Sequence, residues 1–348
     1  KFLGIGFFNR NSLIAYRHLS WCEEPIERAF FVRRLRQAWQ LRQELYPESQ
    51  TNAFRLVHGE SDRLPGLVVD KFADVFSIQT FSAGMEARLD EICAALCELF
   101  SPRAIVLRNE SELRKLEGLP QYSRLAFGTL EGTVEVHDAG ICYEVDVLHG
   151  HKTGFFLDQR ENRKRIRPFA RGKRVLDVFT SDGGFALNAL YAGATEVIAI
   201  DASKEALKRA QRNAERNGFK GLQVLEGDAF LVLEELVKKG EVFDLVILDP
   251  PSLTKSKKNL PVAKKAYQKL NSLGMRLVRS GGYMATASCS HHLAEAEFLQ
   301  VLAQAASSAR RGIKVLERAT QAPDHPVLPA MPETQYLKFA LLYVQDEN

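Results

Sequence analysis

Val175-Leu176-Asp177-Val178-Phe179-Thr180-Ser181-Asp182-Gly183-Gly184-Phe185 is the stretch on which the fold turns. A short apolar run ends at a carboxylate, bends through two glycines and re-enters apolar sequence. Such a run, closed by a turn signal, reads as a strand of a parallel sheet followed by a tight turn into a helix. Glycine lets the backbone bend sharply and approach a ligand closely. The spacing is not G-x-G-x-x-G, which a dinucleotide diphosphate requires. An acidic first strand with a shorter glycine turn better suits a cationic, phosphate-free ligand such as S-adenosylmethionine. The same residues would also serve as a purely structural turn.

Downstream, the pattern alternates. Strands are predicted over Arg174–Phe179, Glu196–Asp201, Leu222–Glu226, Phe243–Asp249 and Tyr283–Ser288, with helices between them such as Lys204–Asn217 and Leu231–Lys239. Ile313–Arg318 and Leu337–Val344 are two closing strands. Apolar strands alternating with helices give a doubly wound, mainly parallel sheet covered on both faces. Ligands of such a sheet bind at the carboxyl ends of the strands, so the polar residues there carry the chemistry.

The second strand ends at Asp201, followed by Ala202 and Ser203. A carboxylate here can accept both ribose hydroxyls, or it can cap the next helix. The third strand leads into Glu226-Gly227-Asp228-Ala229, where Asp228 is placed to accept from an adenine amino group or to close a turn. The fourth ends Asp249-Pro250-Pro251-Ser252. Two prolines hold the chain extended and supply no N–H donors, so Asp249 points into the crevice where a planar target group would meet the methyl donor. The fifth ends Ser288-Cys289-Ser290, at the same edge. A thiolate there could add to C6 of a pyrimidine and make C5 nucleophilic; a buried, inert cysteine is the plain alternative. His291 and His292 are adjacent and cannot easily face one ion, so no metal is expected.

Upstream lies Gly150-His151-Lys152-Thr153-Gly154-Phe155-Phe156-Leu157-Asp158-Gln159-Arg160-Glu161-Asn162-Arg163, which could wall the donor pocket or simply start a helix. Before it the chain reads as a mixed unit. A helix is predicted over Pro25–Tyr46 and another near Ala87–Phe100, with strands at 54–57, 66–70, 75–79, 104–108, 133–136 and 142–147. Residues 1–20 hold strand pieces without chain enough for a core, like the end of a truncated domain.

The 348 residues carry a net charge of only +4, so the total does not announce a nucleic-acid ligand. The distribution does. Residues 151–174 hold nine Lys and Arg against two acids, and residues 252–269 hold six lysines and no acid. Basic runs of this kind can hold phosphates, with Lys152, Arg163, Lys164, Lys255, Lys257 and Lys258 as candidates, or they can be solvated faces. The five cysteines show no paired spacing, which suggests a reducing compartment. No apolar stretch approaches the ~20 residues that a membrane span needs.

In the segments Gly150–Arg163, Asp177–Phe185, Asp249–Ser252 and Ser288–Ser290, in that order, the sequence resembles the bacterial 23S ribosomal RNA cytosine-5 methyltransferases. The stretch Gly59-Glu60-Ser61-Asp62-Arg63-Leu64-Pro65-Gly66-Leu67-Val68-Val69-Asp70 is similar to that family's second domain. The resemblance implies three parts: a remnant of an N-terminal RNA-binding PUA domain (1–20), a central α/β domain (21–140) and a class I methyltransferase domain (141–348). It implies S-adenosylmethionine as cofactor, large-subunit rRNA as partner and a cytoplasmic enzyme that forms 5-methylcytosine. By motif, Cys289 would be the nucleophile with Asp249 beside it. Phe155, Gln159, Arg160, Asp177, Phe179, Thr180, Gly183, Asp201, Ala202, Asp228, Ala229 and Asp249 would shape the donor site. The base that takes the C5 proton is not identified, and homodimerisation is open. The rival readings are an RNA methyltransferase acting on an exocyclic amine or guanine, with Cys289 incidental, a non-catalytic RNA-binding module, and a small-molecule methyltransferase.

Overall fold

The computed structural model describes residues 1–150, 153–254 and 256–347. Lys152 and Lys255, two of the expected RNA contacts, lie outside the described residues. The chain divides into two compact units, Lys1–Asp158 with Ala322–Thr334, and Gln159–Gln321 with Gln335–Asn348.

The first unit opens with a hairpin of β1 (Ile5–Phe8) and β2 (Tyr16–Ser20), followed by α1 (Arg28–Leu45). A sheet follows from β3 (Ala53–His58), β4 (Leu67–Phe72), β5 (Val75–Thr80), β6 (Ala104–Asn109) and β7 (Tyr122–Gly128), with α2 (Ala83–Glu86) and α3 (Leu89–Phe100) between β5 and β6. The strands lie side by side in chain order, all antiparallel except β5 and β6. A second hairpin, β8 (Val134–Asp138) with β9 (Ile141–Val145), completes the unit. Its core joins Phe30, Phe31 and Leu35 of α1 to Val69, Phe76, Ile78, Ile92 and Leu107.

This unit takes in the β8–β9 hairpin and the residues up to Asp158. The returning segment Ala322–Thr334 is held there by polar bonds. Arg42, fully buried, grips Asp62 (2.5 and 2.7 Å) and the Asp324 carbonyl (2.9 Å). The Asp324 carboxylate accepts from Arg55 N–H (2.9 Å).

The second unit is the doubly wound sheet. It begins with α4 (Arg160–Arg165) and α5 (Arg167–Ala170). It continues through β10 (Arg174–Val178), α6 (Gly184–Tyr191), β11 (Glu196–Asp201), α7 (Lys204–Arg216), β12 (Leu222–Glu226) and α8 (Ala229–Lys238). Then come β13 (Phe243–Leu248), α9 (Leu260–Leu277), β14 (Val278–Ser288), α10 (Glu295–Ala309), β15 (Arg311–Ala319) and β16 (Lys338–Asp346). The spatial order is β12-β11-β10-β13-β14-β16-β15. β10 to β14 pair in parallel, and β16 is antiparallel to both its neighbours. This is the class I methyltransferase sheet. Because strand side chains alternate, Leu176, Val178, Val246 and Leu248 point to one face, where Leu233 of α8, Tyr267 and Leu270 of α9, and Phe298 and Leu302 of α10 close over them. α6 lies against β10 and β11. Strand order reverses between β10 and β13, so the crevice at a topological switch point opens beside Asp177 and Asp249.

Candidate active site

The loop after β10 is wound tightly. Phe179 (φ +66°), Ser181 (φ +51°) and Gly183 (φ +87°) alternate in the left-handed region. Two non-glycine residues in that region store strain, a pattern that clusters at functional sites. At Gly183 the left-handed φ disfavours any side chain, and a Cβ would also force Leu187, whose Cδ1 would stand 2.3 Å away, to move.

Asp177 holds the loop closed. Its Oδ2 accepts from Thr180 Oγ1 (2.6 Å) and from Ala186 N–H at the start of α6 (2.9 Å). Burial pushes its carboxyl up to about 6, against the opposing pull of those two bonds and of the Arg163 charge. Its Oδ1 is buried and, among the described residues, has no hydrogen-bond partner. Asp201, at the end of β11, accepts from Ser181 N–H through Oδ2 and from Ser203 N–H through Oδ1 (both 2.9 Å). It thus fastens the strained loop and still keeps lone pairs for ribose hydroxyls. Asp182 faces away, onto Arg209 (2.8 Å).

Asp228 is the N-cap of α8: its Oδ1 accepts from Phe230 and Leu231 N–H (2.9 and 3.1 Å), and its side chain is exposed. Ala202 is exposed beside Asp201, whereas Ala229 and Thr180 are buried. Phe179 is half-buried against the core under α8 to α10. Gln159 donates to Asp249 (2.7 Å) and accepts from Asn162 (2.6 Å), which fixes its amide with the NH2 toward the carboxylate. Arg160 is buried at the start of α4. Phe155 belongs to the first unit, where its ring packs on Tyr143 at 4.9 Å.

Across the crevice, Cys289 Sγ is 3.9 Å from the Pro250 carbonyl and half-buried. This brings the turn after β14 against the Asp249-Pro250-Pro251-Ser252 exit of β13. A chain of hydroxyls ties the two turns. Ser252 Oγ lies 3.0 Å from Ser290 Oγ, Ser290 Oγ lies 2.9 Å from Tyr267 Oη, and Ser288 Oγ donates to Tyr267 Oη (3.0 Å). From the other side Lys338 donates to the Ser290 carbonyl (2.6 Å).

Three of these positions escape reading by strand ends. Asn162 and Tyr267 sit inside helices and show nothing in sequence. Lys338 does carry a signal: it is a lone charge in the otherwise apolar run from Leu337 to Val344.

The basic candidates separate by exposure. Arg163 is buried with its guanidinium against Gly184, where a Cβ would fall 2.5 Å from Nε. Lys164 pairs with Glu161 at 2.6 Å. Lys257 and Lys258 are exposed on a single 3-10 turn between β13 and α9. Further along the same run, Lys264 is paired with Glu297 and Lys269 with Glu234.

The residues present fit S-adenosylmethionine. Asp177, Asp201, Asp228 and Asp249 gather at the ends of adjacent strands of the sheet or just beyond them. A carboxylate-rich rim with one unpartnered buried oxygen suits a ligand that carries an ammonium, a sulfonium and two ribose hydroxyls.

Residues 121–340 match the family model of the S-adenosylmethionine-dependent methyltransferases. The chain is 39% identical over 343 residues to the ribosomal RNA large subunit methyltransferase I of Aeromonas hydrophila, covering 97% of this chain and 86% of that protein. It is 38% identical to the protein of the same name from Vibrio cholerae, with the same coverage. Among solved structures, a candidate S-adenosylmethionine-dependent methyltransferase from Streptococcus mutans superposes with a TM-score of 0.85 over 98% of this chain and 88% of that one, at 20% identity, a likeness of fold. The chain therefore belongs to the S-adenosylmethionine-dependent methyltransferases, with S-adenosylmethionine as its methyl donor, and within them to the family of the ribosomal RNA large subunit methyltransferases I.

Proposed function

We propose that the protein is a cytoplasmic enzyme that methylates large-subunit rRNA, and that its product is 5-methylcytosine made through a covalent bond to Cys289. The names of its relatives support the RNA class. The chemistry is supported by one observation above the rest: Cys289 stands at the carboxyl end of β14, with its sulfur against Pro250, one residue from Asp249.

Cytosine C5 is a weak nucleophile. Addition of the Cys289 thiolate to C6 forms an S–C6 bond and moves the ring electrons onto C5. The donor supplies an electrophilic methyl group to that carbon. Loss of the C5 proton to a general base then returns its electron pair to the ring, the S–C6 bond breaks, and Cys289 leaves as thiolate. Asp249, steadied by Gln159, accepts from the cytosine amino group and sets the base with the face of its ring toward the sulfur. Asp177, Phe179, Thr180, Gly183, Asp201, Ala202 and Ala229 form the donor side, with Asp228 toward the adenine. Lys257 and Lys258 track the RNA backbone. In this reading the hairpin β1–β2 is PUA-like, and the first unit's sheet is the central domain.

Cys289→Ser decides the mechanism. It keeps the volume and supplies a far weaker nucleophile. A variant that still binds S-adenosylmethionine by calorimetry should form no 5-methylcytosine on rRNA, and RNA carrying 5-fluorocytosine should trap the parent protein covalently. Near-normal product from the serine variant would discard the thiolate route and favour transfer to an exocyclic amine held at Asp249.

A further inference from the structure

Lys338 is the first residue of β16 and pairs in register with Ser288 of β14, so it enters directly beside the Ser288-Cys289-Ser290 turn. Its ammonium is buried and donates to two carbonyls, Ser290 O (2.6 Å) and Tyr336 O (2.7 Å). Among the described residues no carboxylate lies within ion-pair distance of it. A buried ammonium is costly to desolvate, and two neutral carbonyls replace only part of its hydration. If the position served packing alone, an apolar side chain would fill it at lower cost.

Cys289 sits between the two residues that Lys338 engages, Ser288 across the strand pair and Ser290 through its carbonyl. Burial lowers the Lys338 ammonium to about 8, and the negative charge of a Cys289 thiolate pulls the other way. Among the described residues, the titratable and charged groups on the elements that meet at the turn include Asp249 just after β13, Tyr267 on α9, His291 and His292 beyond the turn, and Lys338. Tyr267 is pushed up by burial and stays neutral. His291 stacks on Tyr336 at 5.2 Å.

We propose that Lys338 is a positioning residue for Cys289: it pins the turn through Ser290 and Tyr336 and holds the thiol in its ionised form for attack on the base. This rests on the reading of Cys289 as nucleophile, but its test does not. A cation beside a thiol lowers the thiol's proton affinity. Two carbonyl anchors keep that cation from swinging away when RNA enters.

The test is the rate of Cys289 alkylation by iodoacetamide between pH 5.5 and 9.5, followed at that residue by peptide mass spectrometry on the full chain without RNA. The thiolate displaces iodide and forms the S–C bond, so the rate tracks ionisation. The parent should show a midpoint clearly below the ~8.5 of a free cysteine. Lys338→Met should raise it and slow alkylation at pH 7 about tenfold, with S-adenosylmethionine affinity unchanged. Lys338→Arg should restore most of the rate. On rRNA, Lys338→Met should lower kcat with little change in KM. An ordinary midpoint in the parent overturns the proposal even if no variant folds, and so does an unchanged midpoint in a donor-binding Lys338→Met protein. Should Cys289→Ser still make 5-methylcytosine, the covalent mechanism falls while the alkylation result stands by itself.

Discussion

Both oxygens of Asp201 accept backbone N–H groups, one from the strained loop after β10 and one from the start of α7. Replacing it with alanine removes acceptors for the donor's ribose and also frees Ser181. The expected loss of S-adenosylmethionine affinity is about 1.5–3 kcal/mol, the range for hydrogen bonds to a charged group, and calorimetry that shows no loss would reject the ribose role. Asp228 calls for a finer substitution because it also caps α8. Asp228→Ala should lower stability by about 1 kcal/mol through the cap alone. Asp228→Ser keeps a cap and withdraws the carboxylate, so it isolates the donor contact: affinity should fall while the melting temperature holds. Unchanged affinity in the serine variant would leave Asp228 a capping residue. The strand-end carboxylates and Cys289 are legible in sequence because the doubly wound pattern itself says where strands end. Asn162 and Tyr267 are not, because each acts through a partner distant in sequence: Asn162 reaches the Thr320 carbonyl and Tyr267 reaches Ser288. Lys338 stands out as a lone charge in an apolar strand, but its partner, Ser290, is not readable from the sequence.

Whole elements are readable where burial imposes a period. β11 and β12 fall on the residues predicted for them, and β10 and β13 stop one residue earlier, at the loops that their terminal polar residues begin. β7 (Tyr122–Gly128) escapes prediction because it is an edge strand with most side chains exposed, so no face has to be apolar. The lysine run at 252–269 reads in sequence as charge alone, yet from Leu260 it is helix α9, whose Ala263, Tyr267 and Leu270 are buried. That split bears on RNA binding. Lys264 and Lys269 already have carboxylate partners, whereas Lys257 and Lys258 on the 3-10 turn before the helix, and Lys265 on α9, are exposed. Reversing Lys257 and Lys258 to glutamate should weaken binding to rRNA and reduce the slope of log K against log salt by about 0.7–0.9 for each phosphate that is no longer neutralised. Identical slopes for parent and variant would remove this turn from the interface.

At the scale of the whole molecule, the two units should respond differently to acid. In the first unit, burial foremost, then the charges of Arg55, His325 and Arg42, lower His58 from its ordinary 6.5 to about 2. Between those values the unfolded chain binds a proton that the folded unit refuses, so stability is lost as pH falls below 6.5. Glu117, held down to about 2 by hydrogen bonds from Ser12, Asn9 and Arg17 against the cost of burial, adds a loss of the same sign below 4.5. In the second unit, Asp177 runs the other way. Its folded value of about 6 exceeds its ordinary 3.8, so the folded unit binds the extra proton and gains stability as pH falls through that window. Both tryptophans, Trp21 and Trp39, lie in the first unit, so tryptophan fluorescence reports its unfolding alone. In urea titrations followed by fluorescence, the unfolding free energy should therefore fall between pH 6.5 and 5, by up to about 1.4 kcal/mol per pH unit for one linked proton. His58→Gln should flatten that slope because glutamine has no proton to gain. If the variant and the parent lose stability equally over this range, His58 is not the group that sets the acid limit.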